Sequence, residues 1–160
     1  MPQATAVGLT FFSPFSTLLA QGKLHVGKFL VKTKPAGFRW RYRGPVYLRE
    51  SQKVQFYCRI VAEHHGLNYD TLPRNAIVGV GNLVDVRSLS KSEEEELVCC
   101  YNNVAHPTDI NWEPYCVPLA VGLFFDSVTL FERPLPYTSP PGAINQFRIP
   151  LKNLPKSLRR

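Results

Sequence analysis

Apolar residues come in short runs along this chain, broken by Gly, Pro and Ser, and the period of each run predicts a different element. Val7 to Phe12 reads as a first strand. Ser13 then offers an N-cap and Pro14 a first helical position for a short helix that buries Leu18 and Leu19 and stops at Gly22. Lys28 to Thr33 and Pro45 to Glu50 alternate as strands, the second with Val46 and Leu48 on one face and Tyr47 and Arg49 on the other. Ser51 caps a helix running to His65, in which Val54, Tyr57, Cys58, Val61 and His65 recur at helical spacing before Gly66 stops it.

Ala76 to Val86 is the longest strand candidate. A period of two puts Ile77, Gly79, Gly81, Leu83 and Asp85 on one face, and glycines inside a strand mark a bend or a close approach. Ser90 and Ser92 offer caps for a helix that starts with the acidic turn Glu93 to Glu96 and reaches Tyr101. Residues 102–114 read as loop, Val117 to Phe131 as a strand pair or one bent strand, and Ile144 to Ile149 as the last strand. About six or seven short strands with two or three flanking helices predict an α+β chain, a small mixed pseudo-barrel.

Length narrows this to one domain over residues 1–160, with the core at 10–150 and a basic tail at 151–160 that is either a flexible arm or an ordinary solvated end. Met1 to Ala20 lacks a basic lead and is interrupted by Pro14, so it does not read as a signal peptide, and no apolar run has the length to span a bilayer. The four cysteines, Cys58, Cys99, Cys100 and Cys116, form no C-x-x-C pair and have no histidines at ligand spacing. Reduced thiols in a cytoplasmic protein, with no metal and no cofactor, are the expectation. His64 and His65 are adjacent in a helix's last turn and point apart, which suits capping and packing rather than a shared ion.

Charge changes the picture most. Residues 22–53 hold nine Lys or Arg against one acid, Glu50, within a chain of net charge +7. The densest part reads R-W-R-Y-R-G-P-V-Y-L-R-E-S from Arg39 to Ser51. Clustered cations attract phosphates, and interleaved rings such as Trp40, Tyr42 and Tyr47 give bases a surface to stack on. Charges of this kind also protect a solvated edge strand.

Several motifs in order resemble the ASCH domains of the PUA-like superfamily. They are a short helix ending in Gly-Lys (Pro14 to Lys23), the strand Y-R-G-P-V-Y-L-x-x-S (Tyr42 to Ser51), the long strand N-A-I-V-G-V-G-N-L-V-D-V (Asn75 to Val86), and a proline-rich close before F-R-I-P (Phe147 to Pro150). The resemblance implies a pseudo-barrel with a cleft facing RNA or a modified nucleoside. Some small bacterial ASCH proteins hydrolyse N4-acetylcytidine with a lysine, a threonine and a glutamate. The family's G-x-K-x-x-E-x-R motif is met here by Gly22-Lys23-Leu24-His25-Val26-Gly27-Lys28, in which the acid and the arginine are absent.

Three functions follow as expectations. The first is an RNA- or nucleotide-binding module with Arg39, Trp40, Arg41, Tyr42, Arg43, Tyr47, Arg49 and Ser51 at its surface. The second is a hydrolase, an amidohydrolase or a ribonuclease, using Lys23 or Lys28 with Asp85. The third is a protein-interaction adaptor, since Tyr, Trp and Arg are also enriched at protein interfaces.

Overall fold

The computed structural model describes residues 4–30, 41–53, 58–90, 92, 120–139 and 146–160, with the backbone alone at 28–30 and 120. Six strands form one sheet: β1 (Thr5–Phe11), β2 (Val26–Leu30), β3 (Gly44–Glu50), β4 (Ala76–Ser88), β5 (Ala120–Pro136) and β6 (Gln146–Pro150). Their order is β2-β5-β4-β3-β1-β6, antiparallel except for the β1–β3 pair. Two helices, α1 (Phe15–Ala20) and α2 (Cys58–His64), accompany it with three 3-10 turns at Tyr69–Thr71, Leu151–Asn153 and Lys156–Leu158. The sheet curls into half a barrel, the expected α+β pseudo-barrel.

Bulges produce the curl. The β4–β5 register slips at Ile77/Gly79, Val80/Asn82 and Leu83/Asp85, and each slip bends the ladder and adds twist. Ser127 has φ 47°, a left-handed backbone inside β5 that accompanies the middle slip. The segment expected as a strand pair or one bent strand is therefore one bent strand. The slips also overturn the single face expected for Ile77, Gly79, Gly81, Leu83 and Asp85. Ile77 packs in one core and Leu83 in another, while Asp85 pairs with Phe124 after the slip beside Val84.

The first core lies between the sheet and α1, with Leu9, Leu18, Leu19, Val46, Leu48 and Phe125 at its centre. A helix of six residues is too short to persist alone, so burial of Leu18 and Leu19 holds it. Its end is a Schellman turn: Gly22, at φ 73°, donates to the Leu19 carbonyl and Lys23 donates to that of Leu18. Gly79 lets the helix settle on the sheet, because a Cβ there would collide with Ala20 and with the Thr129 carbonyl. The start of α1 departs from the expected Ser13 cap. Pro14 occupies the cap position without a side-chain bond, and Glu50 from β3 accepts from the Ser16 N–H at 2.9 Å and from the Thr17 hydroxyl at 2.9 Å. A carboxyl from a neighbouring strand thus serves the first turn in place of a local cap.

The opposite face of the sheet carries a second core of Tyr47, Ile77, Val80, Phe131, Phe147 and Ile149, and its lid is the tail. Leu154 is 1% exposed, and its burial stabilises the docked tail by about 2 kcal/mol. The Tyr47 hydroxyl donates to the Leu158 carbonyl at 2.7 Å and accepts from the Arg160 N–H at 2.9 Å. Residues 151–160, expected as a flexible or solvated arm, are an ordered cover. No helix among the described residues is long and apolar enough to cross a membrane.

Candidate nucleic-acid interface

Position along β3 separates the basic run into an inner and an outer part. Val46 and Leu48 face the first core, so alternation sends Tyr47 and Arg49 to the second face, and the tail covers that face. Tyr47 is fully buried with its hydroxyl engaged twice, and a ring with no solvent-facing surface cannot stack on a base. Arg49 is 5% exposed. Its Nε donates to the Tyr137 carbonyl at 2.7 Å, one Nη to the Thr10 hydroxyl at 3.2 Å, and the other to the Asn75 side-chain oxygen. This guanidinium ties β3 to β1 and to both flanks of the long β4–β5 pair, and burial pulls its pKa down. Two of the expected surface residues are thus structural.

The Ser51 hydroxyl accepts from the Lys53 N–H at 3.0 Å and its own N–H donates to the Phe11 carbonyl, and of the helix expected after it α2 is the described part. Residues 54–57, 93–119 and 140–145 lie outside the described residues, and with them the helix expected from Ser92 to Tyr101. Arg39 and Trp40 also lie outside them.

What remains at the surface is the outer part of the run. Arg41 is exposed, and Tyr42 is half-buried with its hydroxyl donating to the Pro45 carbonyl at 2.7 Å. Burial pushes the Tyr42 phenol up, while the Arg148 guanidinium pulls it down by a smaller amount. One Nη of Arg43 donates to the Tyr42 carbonyl at 2.8 Å, and the other lies 3.7 Å from the Asp85 carboxylate. The second oxygen of Asp85 lies 3.4 Å from Nε of Arg87, so one carboxylate stands between two guanidiniums. Arg87 in turn lies over the Phe124 ring, 4.3 Å from its centroid. Leu123 and Phe125 point into the first core, so the alternation of β5 turns Phe124 outward to meet Arg87.

The lysines stand apart from one another. Lys23 lies at the end of α1, and its Nζ donates to the His65 carbonyl at 2.9 Å, joining α1 to the end of α2. Both helices cover the first core, whereas Asp85 is on the opposite face, so Lys23 and Asp85 do not converge on one site. Lys28 has a different neighbourhood: the register puts it opposite Gly122, which is opposite Arg87. His65 lies beside Lys23 and titrates low, chiefly through burial and then through the charges of His64 and Lys23. Among the described residues no three His, Cys, Asp or Glu side chains group as a metal site.

Sequence reasoning missed Arg87 and Phe124. The slip beside Val84 brings Asp85 and Arg87 onto the face of Phe124, and a strict period of two from Leu83 conceals this. Phe124 lies beside Phe125 in an apolar run, where nothing in the sequence marks it as facing outward.

No protein-family model matches the chain, and no curated protein matches it in sequence. Among solved structures, it is similar to the ASCH protein from Zymomonas mobilis at 11% identity and a TM-score of 0.46, covering 81% of this chain and 72% of that one. It is also similar to a serine-to-alanine mutant of the same protein at 11% identity and a TM-score of 0.47, covering 84% of this chain and 76% of that one.

Proposed function

We propose that this chain is an RNA- or nucleotide-binding module that engages phosphates through the outer part of its basic run, Arg41 and Arg43, together with Arg87. The observation that carries this reading is the Arg43–Asp85–Arg87 arrangement. Two guanidiniums from different strands are held side by side at the surface by one carboxylate, in distances of 3.7 and 3.4 Å. The two guanidiniums share that carboxylate, and the planar forks of arginine match phosphate oxygens in pairs. The long contacts to Asp85 are ones that a phosphate can replace. The order of motifs shared with ASCH domains, a family associated with RNA-linked roles, supports the same reading.

Charge reversal tests it. Arg41→Glu and Arg43→Glu, read by fluorescence anisotropy on a labelled single-stranded RNA, abolish binding while the urea midpoint stays within that of the parent. Unchanged RNA affinity in both variants contradicts the proposal.

A further inference from the structure

The widest irregularity of the sheet is the slip between Ile77 and Gly79 of β4. Gly79 pairs with Leu130 and Ile77 with Leu135, so residues 131–134 of β5 stand opposite Val78 alone. A bulge of this length leaves the ladder, and between it and the tail lies a groove of about 300 Å³. Its lining is mostly apolar, with Phe131, Pro134 and Leu135 from β5 and Leu158 from the tail. The tail side is held in place before any partner arrives. Nε of Arg159 donates to the Leu154 carbonyl at 3.0 Å, one Nη of Arg160 donates to the Ser157 carbonyl at 3.3 Å, and the Arg160 N–H donates to the Tyr47 hydroxyl at 2.9 Å.

Cations surround this apolar lining. Arg133 lines the groove, and Lys156 stands in sequence between two other lining residues, Pro155 and Ser157. Lys152, Arg159 and Arg160 extend the positive charge along the tail, and residues 151–160 contain no acid. Among the described residues no carboxylate lies within ion-pair distance of any of these five cations, and Glu132 is the one acid of the lining. An apolar groove with a positive rim is complementary to an apolar side chain flanked by negative charge. Glu132, Arg133 and Ser157 are exposed, so the groove is open and suits one side chain of a longer chain rather than an enclosed small molecule. A nucleic acid finds little here to stack on, because Phe131 is only 6% exposed and the rest of the apolar lining is aliphatic. Pro134 and Pro136 have no N–H to offer at this edge, so a partner sits by its side chains and not as an added strand. We infer that the groove between the β5 bulge and the tail docks an acidic protein segment, with an aliphatic side chain in the groove and flanking carboxylates on Arg133 and Lys156. This surface is separate from the phosphate-binding arginines and stands or falls without them.

The test uses the full chain and two fluorescein-labelled peptides at one fixed low salt concentration, read by anisotropy. One is Asp-Asp-Asp-Leu-Leu-Asp-Asp-Asp, and the other has serines in place of the leucines. Wild-type protein is expected to bind the leucine peptide about tenfold more tightly than the serine peptide, the scale of one buried aliphatic side chain. Ser157→Trp fills the groove without changing charge and is expected to erase that preference. Arg133→Glu and Lys156→Glu are expected to weaken both peptides and to keep the urea midpoint of the parent, since both side chains are exposed. A single-stranded RNA is expected to leave the bound peptide in place. No binding of the leucine peptide overturns the proposal, and so does equal binding of the two peptides. A preference for leucine that survives Ser157→Trp, or affinity unchanged in both charge reversals, places the peptide elsewhere and overturns it as well. Competitive displacement by the RNA assigns these cations to nucleic acid and not to a protein segment.

Discussion

Glu50 offers the sharpest test of the packing. Its carboxyl is fully buried under α1, and burial pushes its pKa from 4.5 up to about 8, against smaller opposing effects from its hydrogen bonds with Thr17 and Ser16. The unfolded chain releases this proton near 4.5, so between that pH and about 8 the native state holds one more proton than the unfolded state. Stability is then fully present below the unfolded value and is lost as pH rises through the window. The slope reaches about 1.4 kcal/mol per pH unit, and the whole window amounts to about 5 kcal/mol. Glu50→Gln keeps an oxygen to accept from the Ser16 N–H, turns an amide N–H toward the Thr17 hydroxyl oxygen, and has no proton to lose. Urea denaturation of both proteins at several pH values isolates the effect, because other titrating groups cancel in the difference. The two are expected to match near about pH 5, and the glutamine protein to become the more stable by several kcal/mol at about pH 9. A difference between the two that does not change with pH refutes the buried, protonated carboxyl.

The other predictions separate structural from surface arginines and tyrosines. Arg49→Lys strands the Tyr137 carbonyl and the Thr10 and Asn75 side-chain oxygens, and is expected to lower stability in urea by about 1–3 kcal/mol while the folded protein binds RNA as before. Tyr47→Phe removes both bonds to the tail and is expected to cost about 1–2 kcal/mol and to speed amide hydrogen exchange at residues 158–160, again without loss of RNA affinity.

Much of the fold is legible in the sequence, because each element's signal is local. The Leu18-Leu19 pair with Gly22 marks α1, and the alternation Val46-Tyr47-Leu48-Arg49 divides β3 between two faces as observed. What that alternation does not tell is that both faces are covered. The cover of the second face is the tail, whose Leu151, Leu154 and Leu158 are spaced among lysines and prolines in a segment with no strong period. Tyr47 and Arg49 therefore read as a surface pair when they are interior. In β4 the difficulty is different: three register slips depend on how β5 pairs with it, and a long-range pairing leaves no trace in the period of either strand. The site suffers from the same cause. Arg43 and Asp85 were both identifiable as charged candidates, but the fact that they meet, and that Arg87 and Phe124 join them, is set by that pairing.

Salt dependence tests phosphate binding by the outer arginines most directly. The affinity of wild type, Arg41→Ala and Arg43→Ala for a single-stranded RNA is measured across a series of salt concentrations. The logarithm of affinity is expected to fall linearly with the logarithm of salt, and each substitution to make that slope shallower by about 0.7 for its lost phosphate contact. An affinity indifferent to salt, or slopes identical in all three proteins, contradicts the account.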